Sequence, residues 1–380
     1  MLKGTDSMAG YVCPITRRTL EPVPLEAARA RIARGEPLAT RVHSGRGRAP
    51  IGETPEVLLR DDGQAAYPIV DRIPVLLAPE VLTDPRVPLR FDLQSSHYAE
   101  AYNEMHFYDA TSTDVAGQIH SVASLGESPE EDLQALYRQR RASEAQQADF
   151  PHPPERWLVA RMDLGSEWDC YAHLAPLQNK HIVQLGGRGS GAMRLLLGGA
   201  ARATLLTPML EEAQMALKLA HVLGMSQRFA CFIGIAEEIP LPDASVDGAF
   251  SGGCVHHMTT ALAFPEIARV LRPGGRFAAV EPWRAPMYAL GTWVFGKREA
   301  NPFCRPLTRE RVAPLFDAFA DAQCVQHGTL TRYPMLALEK LGARFALTTA
   351  WKVGRFDDRL CSLIPGMRRL GSGVALLATR

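Results

Sequence analysis

Apolar positions in the second half of the chain fall into short runs, separated by stretches in which they recur at helical spacing. The first run, HIVQLGG, extends from His181 to Gly187 and leads through the glycine-rich residues GGRGSG into a helical pattern. Similar runs follow at ARATLLT and RFACFI, and a later one ends at Glu281 after an RPGG turn. Strands that alternate with helices in this way predict an α/β domain built on a mainly parallel sheet.

The pattern continues beyond Trp283. It predicts one further helix in LTRERVAPLFDAFA and two final strands in AQCVQHGTL and GVALLATR. Two long insertions interrupt this part of the chain, one after the strand that ends at Glu281 and one between the last two strands. Ligands of open α/β sheets bind beyond the carboxyl ends of the strands, so both insertions are expected to form walls of a substrate pocket.

The glycine-rich stretch predicts a loop that leads into a helix N-terminus. Glycines at positions 186, 187, 189 and 191 allow the backbone to approach a ligand, and the helix end attracts negative charge. We therefore take Gly186, Gly187, Gly189 and Gly191 as cofactor-binding candidates. Arg188 lies among them and favours sulfate, phosphate or carboxylate, the alternative being an ordinary solvated loop arginine.

The run AEEIPLPDASVDGAFSGGCVHH, followed by EIARVLRPGGRF, resembles a class I S-adenosylmethionine (SAM)-dependent methyltransferase of the small-molecule type. In that family these segments cover the adenine loop, the fourth strand, the crossover helix and the turn into the fifth strand. The resemblance implies a Rossmann-like seven-stranded methyltransferase fold of the α/β class. Around it we expect a small N-terminal mainly-β domain and helical inserts.

The chain departs from the family pattern at three acidic positions. The first strand ends at Gln184 or Leu185 instead of an acid, Leu205 or Leu206 replaces the ribose-binding acid, and Ile235 replaces the acid that meets the adenine. Each lost contact costs about 1.5–3 kcal/mol if its partner stays buried and unpaired. These degenerate motifs predict that the cleft no longer holds SAM and that no cofactor is used.

The alternative is that glycines and backbone groups still hold SAM. In that case Glu237 or Glu238 compensates for the missing acids, and Thr207, Ala236 and Glu237 complete the set of cofactor-binding candidates.

Five side chains are candidates for catalysis. His256 and His257 follow the fourth strand, where a histidine can remove a proton from an acceptor or assist an elimination, although the pair can equally pack beneath the strand end. Glu281 ends the fifth strand and is a second candidate base or amine anchor. Tyr108 and Asp109 belong to a polar segment that is a candidate lid, or an amphipathic helix whose tyrosines cap the core.

The N-terminal block contains YVCPITRRTL and AYPIVDRIPVLL, which resemble the small zinc-ribbon activator domain associated with tRNA and release-factor methyltransferases. Thr16 stands where the second ligand of the first knuckle is expected, and no cysteine pair precedes AYPIV. A tetrahedral zinc site needs about four ligands, which Cys13 and the distant His43 cannot supply. We predict a ribbon without zinc, held by packing of the hairpin EVLLRDDGQAAYPIV, and no metal elsewhere.

These observations divide the chain into three parts. Residues 1–80 form the small domain, 81–176 a helical linker or lid region, and 177–380 the methyltransferase-like domain. Its inserts fall at about 286–306 and 333–371. Four cations of the first insert suit an anionic substrate, or alternatively a dimer surface: Arg284, Lys297, Arg298 and Arg305.

Composition narrows the classes of partner. The 380 residues are 46% hydrophobic and 22% charged with a formal net charge of +1, as in an ordinary globular protein without a basic field, so we expect no nucleic-acid partner. No run approaches the roughly 20 apolar residues of a membrane span, which predicts a cytoplasmic protein with no membrane partner. The seven cysteines lack paired spacing, which argues against a disulfide framework.

Three functions are compatible with the sequence. The first is a SAM-independent lyase or cyclase of natural-product biosynthesis (secondary metabolism), acting on a small anionic metabolite by elimination or cyclisation, for example sulfate elimination that forms a ring. The second is a SAM-dependent O- or N-methyltransferase of a small molecule. The third is a non-catalytic subunit that stabilises a partner. A homodimer or a partner subunit is compatible with each.

Overall fold

The computed structural model describes residues 10–31, 41–44, 47–50, 55–77, 164–286, 288, 306–343, 347–364 and 366–380. Several predicted residues lie outside these ranges, namely Tyr108, Asp109, Lys297, Arg298 and Arg305. Most of the predicted linker region and of the first insert therefore stays untested.

The N-terminal unit is mainly β. Its elements are β1 (Leu20–Pro24), α1 (Leu25–Arg31), β2 (Arg41–Ser44), β3 (Gly47–Pro50), β4 (Glu56–Arg60), β5 (Ala66–Val70) and β6 (Ile73–Pro74). Antiparallel pairing gives the order β1-β4-β5-β6, with β2 and β3 as a separate pair. The predicted hairpin is present as β4 and β5, and the DDG residues turn the chain between them. Both of its faces are buried, because Val57 and Leu59 belong to one apolar cluster and Leu58 belongs to another.

The larger unit alternates helices and strands. It begins with α2 (Leu164–Leu174), β7 (His181–Leu185), α3 (Ser190–Leu197), β8 (Arg202–Thr207), α4 (Leu210–Val222), β9 (Phe229–Ile233) and β10 (Val246–Gly252). It continues with α5 (Thr260–Val270), β11 (Leu271–Pro282), α6 (Arg309–Ala318), β12 (Asp321–His327), α7 (Arg332–Lys340), α8 (Leu347–Leu363) and β13 (Gly373–Thr379).

The sheet of this unit has the order β12-β13-β11-β10-β7-β8-β9. The pairings from β9 to β11 are parallel, and β13 lies antiparallel between β11 and β12. This order, with its reversed final hairpin, confirms the predicted Rossmann-like methyltransferase fold. The carboxyl ends of β7, β8, β10, β11 and β12 meet at one edge, and the residues that follow them build the site.

The predicted RPGG turn lies within β11. The pairing of β10 with β11 jumps from Val246–Leu271 to Gly248–Arg276, so the intervening residues bulge out of the ladder. Gly274 has a φ of 76°, which glycine adopts without steric cost.

Helices cover both faces of the sheet. One apolar cluster packs α2, α3 and α4 against one face, and a second packs α5 and α6 against the other. Both faces of the sheet are apolar because successive side chains of a strand point to opposite faces. In β8, Leu205 belongs to the first cluster and Leu206 to the second.

The N-terminal unit docks on the open edge of this sheet. Val75 bridges Ile233 of β9 in parallel, and the Leu76 N–H donates to the Ile233 carbonyl at 2.8 Å. The Arg17 guanidinium pairs with the Glu266 carboxylate on α5 at 2.8 Å. The small sheet therefore caps an edge strand that would otherwise offer unpaired backbone groups.

Candidate functional site

The loop after β7 packs tightly against the residues that follow β10. Gly186, Gly187 and Gly189 have φ values of 74°, 76° and 79°. A Cβ added at Gly186 would lie 2.7 Å from Cβ and Sγ of Cys254, and one at Gly189 would lie 2.6 Å from Cβ of Ala216. The glycines are thus needed both for their dihedral angles and for close packing inside the protein.

Gln184 holds this loop from within. Its Nε2 donates to the Gly186 carbonyl at 2.7 Å, and its Oε1 accepts the Ala192 N–H at 2.6 Å. One amide thus satisfies both the loop and the first turn of α3, a combination that a carboxylate cannot supply because it lacks a donor. Glutamine at this position, where the family has an acid, therefore satisfies hydrogen-bonding groups of the loop and of α3.

The end of β8 carries an acid that the sequence argument missed. Leu205 and Leu206 are both buried in the core, so either candidate for the ribose-binding position packs inward. Thr207 Oγ1, however, donates to Glu212 Oε2 at 2.5 Å, and Glu212 belongs to the first turn of α4. The spacing of Glu212 from the strand could have predicted this contact. When a helix begins directly after a strand, a side chain in its first turn, five residues past the strand end, can lie close to that end.

The adenine-loop residues form a short 3₁₀ turn, Ala236–Glu238, after β9. Ile235 packs against the core, and Ala236 is buried. Glu237 Oε1 accepts the Thr259 N–H at 2.7 Å, at the start of α5. Glu237 thus makes a contact typical of an acid at a helix N-terminus.

His256 and Glu281 form the central pair of the site. His256 Nδ1 lies 2.7 Å from Glu281 Oε2, and the Glu281 side chain is completely buried. The same carboxylate accepts the N–H groups of Cys254 at 2.9 Å and Val255 at 2.7 Å, while the His256 N–H lies 3.3 Å away. Glu281 therefore joins the end of β11 to the residues after β10, and its contact with Nδ1 leaves the other ring nitrogen, Nε2, as the basic position.

Glu281 is a positioning residue in this arrangement, because its oxygen atoms are occupied by the protein's own donors. His257 lies beside His256 with ring centroids 4.0 Å apart, but it is 8% exposed and forms part of the buried turn. Of the catalytic candidates within the described residues, His256, His257 and Glu281 are thus brought together.

The Cys254 thiol lies near three charged side chains, those of Glu212, Glu281 and Arg188. Burial raises the pKa of its thiol well above the usual value, and the carboxylates of Glu212 and Glu281 raise the pKa further. The Arg188 guanidinium acts in the opposite direction, which means that this cation lies near the thiol. Strand β10 ends at Gly252, and Cys254 precedes a 3₁₀ turn, Val255–His257.

The thiol of Cys13 in the N-terminal unit is buried among protein groups. Its Sγ lies 3.1 Å from the Tyr67 hydroxyl, 3.5 Å from the Thr16 N–H and 3.9 Å from Arg60 Nη1. These contacts outweigh burial and lower the pKa of Cys13. Among the residues that the structure describes, no three acidic, histidine or cysteine side chains are placed to hold a metal ion.

No helix within the described ranges is long and apolar enough to span a bilayer.

Comparison with known proteins identifies the same central region. Residues 185–279 match the family described as methyltransferase domain. The chain is 35% identical over 145 residues to the ubiquinone/menaquinone biosynthesis C-methyltransferase UbiE of Rubrivivax gelatinosus, covering 34% of this chain and 55% of that protein. It is 50% identical over 62 residues to an uncharacterized methyltransferase of Mycobacterium tuberculosis, covering 16% and 24%. The chain thus spans about half or less of the length of these relatives.

Solved structures with a similar arrangement include a geranyl diphosphate methyltransferase in complex with SAM, at 19% identity and a TM-score of 0.42. That match covers 68% of this chain and 95% of the other. Another is the [4+2]-cyclase SpnF, at 20% identity and a TM-score of 0.41, covering 67% and 97%.

The fold family implies SAM, whose ribose hydroxyls and adenine amino group need polar partners. In the described part of the chain, the ribose position holds Leu205 or Leu206, both buried, and the adenine position holds Ile235, while Glu237 contacts the start of α5. Glu212 is the acid nearest the end of β8, and one of its oxygens already accepts from Thr207. The residues at the two expected acidic positions do not fit the adenosine part of SAM. The strand order is that of a Rossmann-like methyltransferase fold, and residues 185–279 within it match the methyltransferase domain family.

Proposed function

We propose that this protein is an enzyme that does not use SAM and that acts on a small anionic metabolite in the cleft beyond β7 and β10. The reaction is an elimination or cyclisation, such as loss of sulfate with ring formation. The observation that carries the proposal is that Leu205, Leu206 and Ile235 pack into or against the core at the positions where the family resemblance expects the ribose and adenine acids.

One cation beside the site supports an anionic ligand. Arg188 belongs to the loop that precedes α3 and lies close enough to the Cys254 thiol to lower its pKa, against burial and the carboxylates of Glu212 and Glu281, which raise it. Backbone N–H groups at the start of α3 add partial positive charge. A sulfonium ion gains nothing from such a cation, whereas a sulfate, phosphate or carboxylate pairs with it through two parallel hydrogen bonds.

His256 supplies the base for this chemistry. Its Nε2 removes a proton from an ammonium or hydroxyl group of the substrate while Glu281 stabilises the resulting imidazolium through Nδ1. The freed lone pair forms the new bond to the carbon that carries the sulfate ester, and sulfate leaves with the electrons of the broken C–O bond. Arg188 takes up the negative charge of the leaving group.

The decisive experiment is a calorimetric titration of the purified protein with SAM, S-adenosylhomocysteine and sulfate. We expect no detectable binding of the two adenosyl ligands and sulfate binding that is lost in Arg188→Gln. Micromolar affinity for SAM would overturn the proposal.

A SAM-dependent O- or N-methyltransferase is the second candidate, and Glu212 is the observation that favours it. The Glu212 carboxylate reaches the end of β8 through Thr207, close to where a ribose would lie. If this candidate is correct, wild type binds SAM and Glu212→Gln binds it on the order of tenfold more weakly. Glu310→Gln, on the exposed first turn of α6, is the matched control and should bind as wild type does.

A further inference from the structure

The insertion between β12 and β13 presents an exposed apolar face. Of the ten large hydrophobic side chains that are exposed in the described residues, seven lie between Leu330 and Leu370. On α8, Phe356 is 62% exposed and Leu363 is 77% exposed. Soluble proteins rarely leave such a concentration of apolar surface uncovered without a binding role.

The same face is positively charged. Lys352, Arg355 and Arg359 surround Phe356 and line with it an open groove of about 390 Å³. The two acids of α8 point the other way, because Asp357 and Asp358 are buried against the body of the protein. Arg355 bridges the two sides, with its Nη1 3.2 Å from Asp358 Oδ2, and Lys352 and Arg359 are the exposed cations of the outward face.

Asp357 and Asp358 fix α8 firmly in this orientation. Asp357 accepts the N–H groups of Leu330 and Thr331 together with the Thr331 hydroxyl. Asp358 lies 2.8 Å from His327 Nδ1 at the end of β12, and Asp169 of α2 lies 2.9 Å from His327 Nε2. The outward face is therefore a fixed surface, anchored at the carboxyl-end edge of the sheet.

The charge of the chain is unevenly divided. Residues 78–163 contain 15 acidic and 7 basic side chains, a formal charge of −8, whereas the remaining residues carry +9. This segment rejoins the described structure at α2, beside α8. A Cβ on Gly165 would lie 2.6 Å from His327 Nδ1 and 3.0 Å from Asp358 Oδ2, so the first turn of α2 touches the α8 anchor.

We propose that the basic and apolar face of α8, formed by Lys352, Phe356, Arg359 and Leu363, is a docking surface for the acidic segment 78–163 of the same chain. The occupant has the opposite charge, is tethered a few residues away and contains eight aromatic side chains to cover Phe356 and Leu363. Tethering makes the contact intramolecular, so that modest pairwise attraction suffices to hold it.

Photocrosslinking tests this contact in the full-length protein. Phe356 is replaced by p-benzoylphenylalanine, the sample is irradiated and the crosslinked peptides are identified by mass spectrometry. We expect crosslinks to residues 78–163 in monomeric material, with a yield that does not change on dilution. The matched control is the same replacement at Phe316 of α6, which is 51% exposed and should give no such crosslink.

A charge reversal provides the second test. Lys352→Glu combined with Arg359→Glu should accelerate proteolysis within 78–163 by about fivefold, since exposed ion pairs contribute up to ~1 kcal/mol. The control pair, Arg29→Glu with Arg309→Glu, should leave the rate unchanged. Crosslinks from Phe356 that form only between molecules, or that reach no residue of 78–163, overturn the proposal, as does equal proteolysis of both double variants.

Discussion

Glu281 shows how one buried carboxylate can join two strand ends, because it accepts the N–H groups of Cys254 and Val255 and contacts His256 Nδ1. Glu281→Gln keeps one oxygen for the N–H groups of Cys254 and Val255, but it places an NH₂ group against the His256 N–H and Nδ1, where Oε2 accepts in the wild type. We expect a loss of about 2–3 kcal/mol in the free energy of unfolding, the range for hydrogen bonds to a buried charged group. Urea denaturation measures it, with exposed Asp317→Asn as the control that should change stability little.

Activity distinguishes the role of His256 from that of Glu281. His256→Gln should abolish turnover while the protein stays folded, because the base itself is removed. If His256→Gln retains the wild-type rate on the true substrate, the histidine only packs beneath the strand end, as the sequence also allowed.

Gly186 offers a test of the packing beneath the cleft. Both Gly186 and Gly253 have positive φ, 74° and 77°, so alanine costs about 1–2 kcal/mol of backbone strain at either position. Only at Gly186 would the new Cβ also meet Cys254, at 2.7 Å, since nothing lies within 4 Å at Gly253. Thermal denaturation should therefore show Gly186→Ala to be the less stable variant by at least about 1 kcal/mol. Equal melting temperatures would mean that the loop shifts freely.

The junction of β12, α2 and α8 rests on one histidine. Burial alone lowers the pKa of His327, but the hydrogen bonds to Asp169 and Asp358 outweigh it and raise the pKa to about 9. A pKa above the unfolded value of about 6.5 means that the charged form stabilises the fold. The contribution, about 3 kcal/mol, is complete below pH 6.5 and is lost as the pH rises through 9.

Unfolding at a series of pH values checks this junction. Wild type should lose about 3 kcal/mol between pH 6.5 and pH 9.5, and His327→Gln should lack that component of the slope. Hydrogen exchange should then show faster opening of α8 in the variant, because Asp358 has lost its partner on β12. A wild-type profile parallel to that of the variant would contradict the assignment of a charged His327.

The strands and helices followed from periodicity because each buries one side against a neighbour, as β8 does with Leu205 and Leu206. The start of β11 could not be predicted from periodicity. Whether the RPGG segment belongs to the strand depends on its hydrogen bonds to β10, which the sequence of β11 alone does not reveal. Gln184 was taken as a lost contact because the hydrogen bonds to Gly186 and Ala192 appear only once the loop has closed. Glu212 was missed for the same reason, as its position depends on where α4 begins.

The N-terminal unit joins the large sheet through a backbone bridge at the β9 edge, between Val75 and Ile233. Removal of residues 1–77 would strip β6 from β9 and leave the Ile233 carbonyl without its 2.8 Å partner. We expect the shortened protein to associate through this bare edge strand, visible as larger species in light scattering at concentrations where wild type is monodisperse. Arg17→Ala, which removes one side-chain contact with Glu266 and leaves the backbone bridge in place, should stay as dispersed as wild type.

The position of β13 has a consequence for biosynthesis. This strand, Gly373–Thr379, lies between β11 and β12, both of which are synthesised earlier. While the ribosome translates the residues between His327 and Gly373, β11 and β12 have no common neighbour and their facing edges are open. The position between β11 and β12 in the sheet of the nascent chain therefore stays empty until Thr379 leaves the exit tunnel. During this interval, chaperone binding or incorrect strand pairing would act on the protein.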